Sequence, residues 1–437
     1  MKMIGIRHED KYAPERRSPL VPADVRELTA RYNLQVRVET SSKRIFTHEE
    51  FEAAGAMVTD DLAGCDIILG VKEMPVGYFR KGVVYVYFSH VIKGQAQNMS
   101  MLRDLVDAGA TLIDYERILD EKGRRLIFFG RHAGIAGMIN TLWTLGRRFK
   151  ALGMSTPFEK VRQAASYGSL EEARSDIRAA GEELHARGLP DGAGPLVFAV
   201  TGDGNVAQGA LEIMELLPVV KVPAARLSDA DVRKQFDDSG RVYLANLVPA
   251  DYMVHREGRA FDLDDYIAHP DNYESRFEHF LEPLDVLVNG IYWDERYPRL
   301  VTRQWLRERN EANGLRLRVI GDITCDPEGS VECTVKATGI EDPVFVYDPA
   351  TGGHAMGFEG PGVAVMAVDI LPSELPRESS EHFSRHLSPW IPTLASADFR
   401  VSFGQLQLPP ELKSAVIVHN GRLTPDYAYL ERHLGLR

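Results

Sequence analysis

Four places in this 437-residue chain set charged side chains at or beyond the ends of apolar runs. Lys72 and Glu73 follow DIILG (66–70), His90 follows VVYVYF (83–88), Arg16 and Arg17 lie in the loop after the first apolar run, and Asp322 and Asp326 flank the end of LRVIGDI (317–323). Moving a hydride to or from an imine or a carbonyl also requires a proton donor and acceptor tuned near neutrality, and histidine is the side chain whose ordinary pKa lies there. A lysine beside it serves the same end once desolvation or a neighbouring cation lowers its pKa. Arginine grips a carboxylate with two parallel N–H bonds. Each residue also has a plain structural reading: a histidine that caps its strand, a solvated basic turn at ERRSP. Their coincidence at the ends of apolar runs is what points to a site.

A second signal lies in PLVFAVTGDGNVAQGALEIMELL (195–217). Leu196 to Val200 reads as a strand covered on both faces, followed at once by a glycine turn and a helix start. Gly202 allows the tight turn, Gly204 lets backbone approach a pyrophosphate, and Ala207 lets helix pack on strand. Asp203, Asn205 and Val206 complete the turn, whose amides would face the phosphates. An ordinary glycine-rich turn that binds nothing is the alternative.

These residues need sheets to position them. Met3–Ile6, the alternating Leu34, Val36 and Val38, residues 66–70, 83–88 and 110–116 read as strands, interleaved with helices at 22–32, at the Thr47/Glu50 capping box, and at 95–108. A long helix is expected over 133–153, and Ser169 with Glu172 caps another that runs to Arg187, where Gly188 ends it. Beyond the glycine turn, 219–223 reads as the next strand, the Asp-rich 228–271 as a surface excursion, and 285–291, 317–323 and 363–370 as the runs completing a parallel sheet; a helix resumes at Ser379. Open α/β sheets bind ligands at the carboxyl ends of their strands.

Length favours two domains. With 44% hydrophobic and 26% charged residues the composition is ordinary, and the net charge of -12 argues against nucleic acid and anionic membrane as partners. No apolar run approaches a membrane span or a signal peptide, so the expectation is a cytoplasmic protein. Cys65, Cys325 and Cys333 are irregularly spaced, which suggests neither disulfides nor a metal site, only buried thiols.

The runs ERRSPL (15–20), GVKEMP (70–75), YFSHVIKGQAQNM (87–99), LIDYE (112–116), AGIAGMIN (133–140), TGDGNVAQGA (201–210), NGIYWDERYPRLVTR (289–303) and LPRESSEHF (375–383) resemble the lysine-2-oxoglutarate reductase domain of bifunctional aminoadipic semialdehyde synthase. They are similar to the lysine-forming saccharopine dehydrogenases and, more distantly, to alanine dehydrogenase and the transhydrogenase domain. The resemblance implies two Rossmann-like, doubly wound α/β domains with a cleft between them. The first, for substrate, would be discontinuous (1–135 and 371–437); the second, for the dinucleotide, would span 136–370. It implies an oxidoreductase that forms or cleaves saccharopine from lysine and 2-oxoglutarate with a nicotinamide cofactor. Lys72 and His90 match the acid-base pair, Arg17 a carboxylate-binding arginine, and Glu73, Glu116 and Arg125 the lining of the substrate cleft. Asp326, with Asp322 as its neighbour, falls near the nicotinamide. The resemblance covers the reductase part alone, so the glutamate-forming half of the bifunctional enzyme is expected to be lacking. A related amino-acid or opine-type dehydrogenase, and a silent nucleotide-binding sensor, are the competing readings.

One departure bears on the cofactor. Where this family carries an acid at the end of the second nucleotide-domain strand, to accept from the ribose hydroxyls, this chain has Pro223, with Lys221 and Arg226 nearby. NADP(H) is therefore expected ahead of NAD(H), with Arg226 on the 2'-phosphate. Oligomeric state is not legible.

Overall fold

The computed structural model describes residues 2–229 and 231–435, which divide into two units. One contains the chain through Phe129 and again from Pro376; the other is Gly130–Leu375. The passages between them lie at 129/130 and 375/376, five or six residues from the boundaries expected from sequence.

Six strands of the first unit form a continuous parallel sheet: β1 (Met3–Ile6), β2 (Gln35–Glu39), β3 (Met57–Thr59), β4 (Ile67–Leu69), β5 (Val84–Tyr87) and β6 (Thr111–Asp114). Their order is β3-β2-β1-β4-β5-β6, so the direction of winding reverses between β1 and β4. β4 and β5 are buried along their whole length, which is why they read as unbroken apolar runs. Between the strands run α1 (Pro22–Tyr32), with proline in its first turn, α2 (His48–Ala53) and α3 (Ala96–Asp107). The α2 capping box is complete: Glu50 N–H donates to Thr47 Oγ1 (3.2 Å) and Thr47 N–H to Glu50 Oε2 (2.6 Å).

The second unit opens with α4 (Gly130–Ala151) and α5 (Leu170–Arg187). Its strands are β7 (Leu196–Thr201), β8 (Val219–Lys221), β9 (Val242–Leu247), the pair β10 (Met253–His255) and β11 (Tyr273–Ser275), then β12 (Val286–Asn289), β13 (Val319–Asp322), β14 (Val344–Tyr347), β15 (His354–Met356) and β16 (Val363–Met366). α6 (Asn205–Met214) and α7 (Ala224–Leu227) follow β7 and β8. Eight strands form one sheet in the order β15-β14-β16-β13-β12-β7-β9-β8, and β10 pairs with β11 apart from it.

Three expectations are corrected here. The Asp-rich 228–271 is not all a surface excursion, because β9 lies within it and pairs in parallel with β7 over six residues. Its core-facing Val242, Leu244 and Ala245 outweigh the charges that precede them in sequence. The strand at 219–221 is consequently displaced to the sheet's edge. The sheet is also not purely parallel: β14 runs antiparallel to β16, and β15 antiparallel to β14. Finally, the helices expected at 133 and 379 begin earlier, at Gly130 and Pro376.

After Leu375 the chain adds β17 (Val416–His419), antiparallel to β6, and β18 (Arg422–Leu423) to the first sheet. Cys65, Cys325 and Cys333 are buried free thiols. Among the described residues, no helix is long and apolar enough to cross a membrane.

Candidate functional site

The carboxyl edge of the first sheet collects the acid-base candidates. Lys72 and Glu73 leave β4, His90 leaves β5 two residues beyond Phe88, and Glu116 follows β6. His90 adopts the left-handed backbone conformation (φ 48°), which a residue with a Cβ takes up only where its surroundings over-determine it. Those surroundings are visible. Asn98 Nδ2 donates to the His90 carbonyl (3.0 Å), and the imidazole Nδ1 lies 2.9 Å from Glu73 Oε1. Glu73 is nearly buried; burial alone would raise its carboxyl, but the bond and charge of His90 hold it below the ordinary value. Lys11 Nζ adds a longer contact to the same oxygen at 3.9 Å. The Lys72 ammonium stands 5.6 Å from the centre of the Tyr12 ring.

Arg17 is buried, and its guanidinium is already engaged. Nε and Nη2 donate to the two Glu15 oxygens at 2.8 and 2.6 Å, and the flat group lies 4.1 Å from the centre of the Phe129 ring. Burial would raise the Glu15 carboxyl; the arginine's charge and bonds pull it below the ordinary range. Glu116 and Arg125 pair with each other at the rim, where Arg125 is half exposed.

Two further groups shape this edge without a motif to announce them. Glu9 accepts from the backbone N–H groups of Val71 (Oε1, 2.7 Å) and Lys72 (Oε2, 2.9 Å), and burial with Glu15 nearby pushes its carboxyl up to about 7. Asp114, at the end of β6, accepts from the Ser89 hydroxyl and, at 3.1 Å, from the Ser89 amide, fixing the residue before His90. Burial pushes Asp114 up to about 6. Glu9 and Asp114 are single acids in mixed loops and strand ends, and only spatial neighbours give them a role.

In the second unit the glycine turn lies at the carboxyl end of β7, next to β12, where the winding direction reverses. Gly202 has φ 92° and takes the turn a Cβ would strain. At Gly204, by contrast, a Cβ would meet nothing within 4 Å: the turn leaves open space where a pyrophosphate would lie. Asp203, Asn205 and Val206 border that space, with Asp203 and Asn205 exposed, and buried Ala207 seats α6 against the sheet. The residues present therefore fit a dinucleotide held by Gly202 to Ala207.

Behind the turn runs a buried polar chain. Thr201 Oγ1 donates to Asn289 Oδ1 (3.0 Å), and Asn289 Nδ2 donates to Asp322 Oδ1 (2.9 Å) and Ser330 Oγ (2.9 Å). Thr334 Oγ1 donates to the other Asp322 oxygen at 2.5 Å. Asp322 is thus consumed inside the protein, its carboxyl pushed up to about 6 by burial, and it braces strand ends rather than presenting itself to a ligand. Asp326 is exposed in the loop beyond. Arg226 is exposed on α7, where it donates to Gln235 Oε1.

Comparison with known proteins gives the chain its family. The family "Alanine dehydrogenase/PNT, N-terminal domain" matches residues 5–136. The chain is 38% identical over 98% of its length to an alpha-aminoadipic semialdehyde synthase of Arabidopsis thaliana, and 34% identical, again over 98%, to the bovine mitochondrial protein of that name. It spans 41% and 48% of those relatives, less than half of each. A saccharopine dehydrogenase [NAD(+), L-lysine-forming] of Neurospora crassa is 30% identical, with 90% of this chain and 91% of that protein aligned. The chain belongs to the lysine-forming saccharopine dehydrogenase family. Among solved structures, an L-alanine dehydrogenase superposes with a TM-score of 0.63 at 20% identity, covering 99% of both chains, and the Sinorhizobium meliloti transhydrogenase with 0.51 at 16% identity, covering 97% of this chain and all of that one. These share the fold.

Lys72 and Glu73 follow β4 and His90 follows the adjacent β5 in the first unit, with Glu73 bonded to the imidazole. The 202–207 turn stands on its own sheet edge in the second unit. Arg226 follows the displaced edge strand β8, and it is β9 that adjoins β7; Asn246 of β9 donates to the Val200 and Gly202 carbonyls (3.0 and 2.7 Å).

Proposed function

We propose that this protein joins lysine to 2-oxoglutarate and reduces the product to saccharopine, or runs the reverse, with a nicotinamide dinucleotide. The observation that carries the reading is the cluster at the carboxyl edge of the first sheet: two side chains able to move protons, Lys72 and His90, on adjacent strand ends, with Glu73 bonded to the imidazole.

Forward, the lysine ε-amine attacks the ketone carbon of 2-oxoglutarate, and the carbinolamine loses water to give an imine. Lys72 and His90 deliver the proton that lets hydroxide leave as water and remove protons from the attacking nitrogen. Glu73 holds the imidazole by Nδ1, leaving Nε2 as the proton-carrying atom. Arg17 meets a substrate carboxylate with a charge that Glu15 already balances, so it orients more than it attracts. The turn at 202–207 would hold the pyrophosphate of a dinucleotide through backbone N–H groups, and that cofactor would supply or accept the hydride.

The preferred cofactor is NADP(H). The ends of β8 and β9 offer Lys221, Val222 and Pro223, and Leu247 and Val248, where the Asp251 carboxylate is already engaged by the Val248 N–H (2.8 Å), while Arg226 donates to the neutral side-chain amide of Gln235. NAD(H) is the second reading, favoured by the name of the Neurospora relative.

The test is oxidation of NADPH and of NADH by the purified protein with a panel of amino acids and 2-oxo acids. Turnover with lysine and 2-oxoglutarate above every other pair is the expected result. Turnover only with another pair would move the enzyme to an amino-acid or opine-type dehydrogenase, and none with any pair would leave a nucleotide-binding sensor.

A further inference from the structure

Lys72 carries its chemistry from a loop, not from the strand itself, and a loop needs something to fix it. In this loop the fixing group comes from another part of the chain. Glu9 leaves β1 three residues beyond its end, and its carboxylate reaches the segment that leaves β4, the neighbouring strand across the point where the winding reverses. One oxygen takes the Val71 N–H and the other the Lys72 N–H. These are consecutive peptide groups, so both planes flanking the Val71 Cα, and with them the start of the Lys72 side chain, are set by one carboxylate. Glu9 is 4% exposed. Arg7, Glu15, Arg44 and the Tyr115 phenol lie within electrostatic reach of it.

We propose that Glu9 is a positioning residue for Lys72, a two-oxygen clamp on the backbone that fixes where the lysine ammonium is delivered. The role rests on the reading of Lys72 as a proton carrier in the reaction above. It makes a chemical distinction that simple burial of an acid would not: both oxygens must accept. A glutamine of the same shape offers one acceptor and turns an N–H toward the second amide, so it opens the clamp while keeping the volume. Misplacement of a reacting group by about an ångström costs on the order of 100-fold in rate.

The experiment compares wild type, Glu9→Gln, Glu9→Asp and Lys72→Met as full-length chains, by three readouts: NADPH oxidation with lysine and 2-oxoglutarate, thermal melting with and without NADPH, and the acetylation rate of Lys72 relative to exposed Lys122, read by mass spectrometry after brief acetic anhydride treatment. The expected result for Glu9→Gln is a kcat lower by about 10- to 100-fold, a KM for NADPH within about twofold of wild type, and a Lys72 acetylation rate changed by about threefold or more. A kcat within twofold of wild type, or unchanged Lys72 acetylation, overturns the proposal; so does a loss shared equally by kcat and the NADPH-induced melting shift, which would mark general damage. Should Glu9→Gln fail to fold, Glu9→Asp carries the same test, since it keeps the charge and both acceptors but withdraws them by one methylene. Absence of turnover in wild type would defeat the functional reading alone, and the acetylation comparison would still decide whether Glu9 sets the lysine.

Discussion

Two pairs in the first unit, His90–Glu73 and Arg17–Glu15, look alike as contacts and differ in what their loss would do. His90 is partly open to solvent and its bond to Glu73 is a single one, so His90→Gln should leave the melting temperature nearly unchanged. If His90 and Lys72 move protons, His90→Gln and Lys72→Met should each lower turnover by about 10²–10⁴ and alter its pH profile. Near-normal rates in both folded variants would refute the mechanism. Arg17 is the opposite case. Its removal leaves the Glu15 carboxylate, wholly buried, without its cation. Such broken pairs cost about 3–5 kcal/mol, so Arg17→Ala should lose stability together with substrate affinity, and a raised KM in an unperturbed fold would show that Glu15 finds other support.

The same contrast recurs at the level of elements, between two glycines five residues apart. A Cβ at Gly204 meets open space and the backbone there has an ordinary negative φ, so Gly204→Val should fold normally and fail to bind dinucleotide, as read by NADPH fluorescence. A Cβ at Gly209 would lie 2.0 Å from the Arg131 carbonyl oxygen, where α6 crosses α4, and Gly134 on α4 makes the reciprocal approach to the Val206 carbonyl. Gly209→Ala should therefore force the helices apart and destabilise the protein by about 1–3 kcal/mol or more, visible in urea denaturation; an unchanged midpoint would mean the crossing is loose. This pairing also shows what was legible in sequence. The turn itself was, because strand, glycines and helix are contiguous and each obeys a local rule. The partner helix could be read as a helix, but nothing in AGIAGMIN says which backbone its glycines touch. β9 was missed for a related reason: VYLANL is a good strand, but it sits among acids, and its place beside β7 is a fact of sheet order that local pattern does not carry. The cluster of Lys72, Glu73 and His90 was legible as strand-end residues, whereas Glu9 and Asp114, which hold its backbone, were not, since a lone acid has no periodicity to read.

Four buried acids, two in each unit, shift the same way. Glu9 and Glu374 are pushed up to about 7, Asp114 and Asp322 to about 6, and burial is the largest cause in each. A carboxyl whose folded value lies above its unfolded one holds its proton more tightly in the folded state. Its contribution to stability is therefore complete below the unfolded value and is lost as pH rises through the folded value. Glu374 isolates this effect because the groups around it are neutral: Asn140 Nδ2 donates to Oε1 (2.8 Å), the Ala165 amide to Oε2 (3.0 Å), and Gln163 completes the set. The rise from 4.5 to about 7 is equivalent to about 3 kcal/mol, or about 2–4 °C per kcal/mol in melting temperature for a unit of this size. Glu374→Gln abolishes the titration and also mismatches one donor, so at pH 5 it should melt below wild type. Between pH 5 and pH 8.5 wild type should lose stability that the variant keeps, and the gap between them should narrow or reverse. Melting curves of the two proteins at both pH values decide the matter: a gap that does not change with pH would mean that Glu374 stays ionised in the fold, its charge carried by Asn140, Gln163 and the Ala165 amide alone.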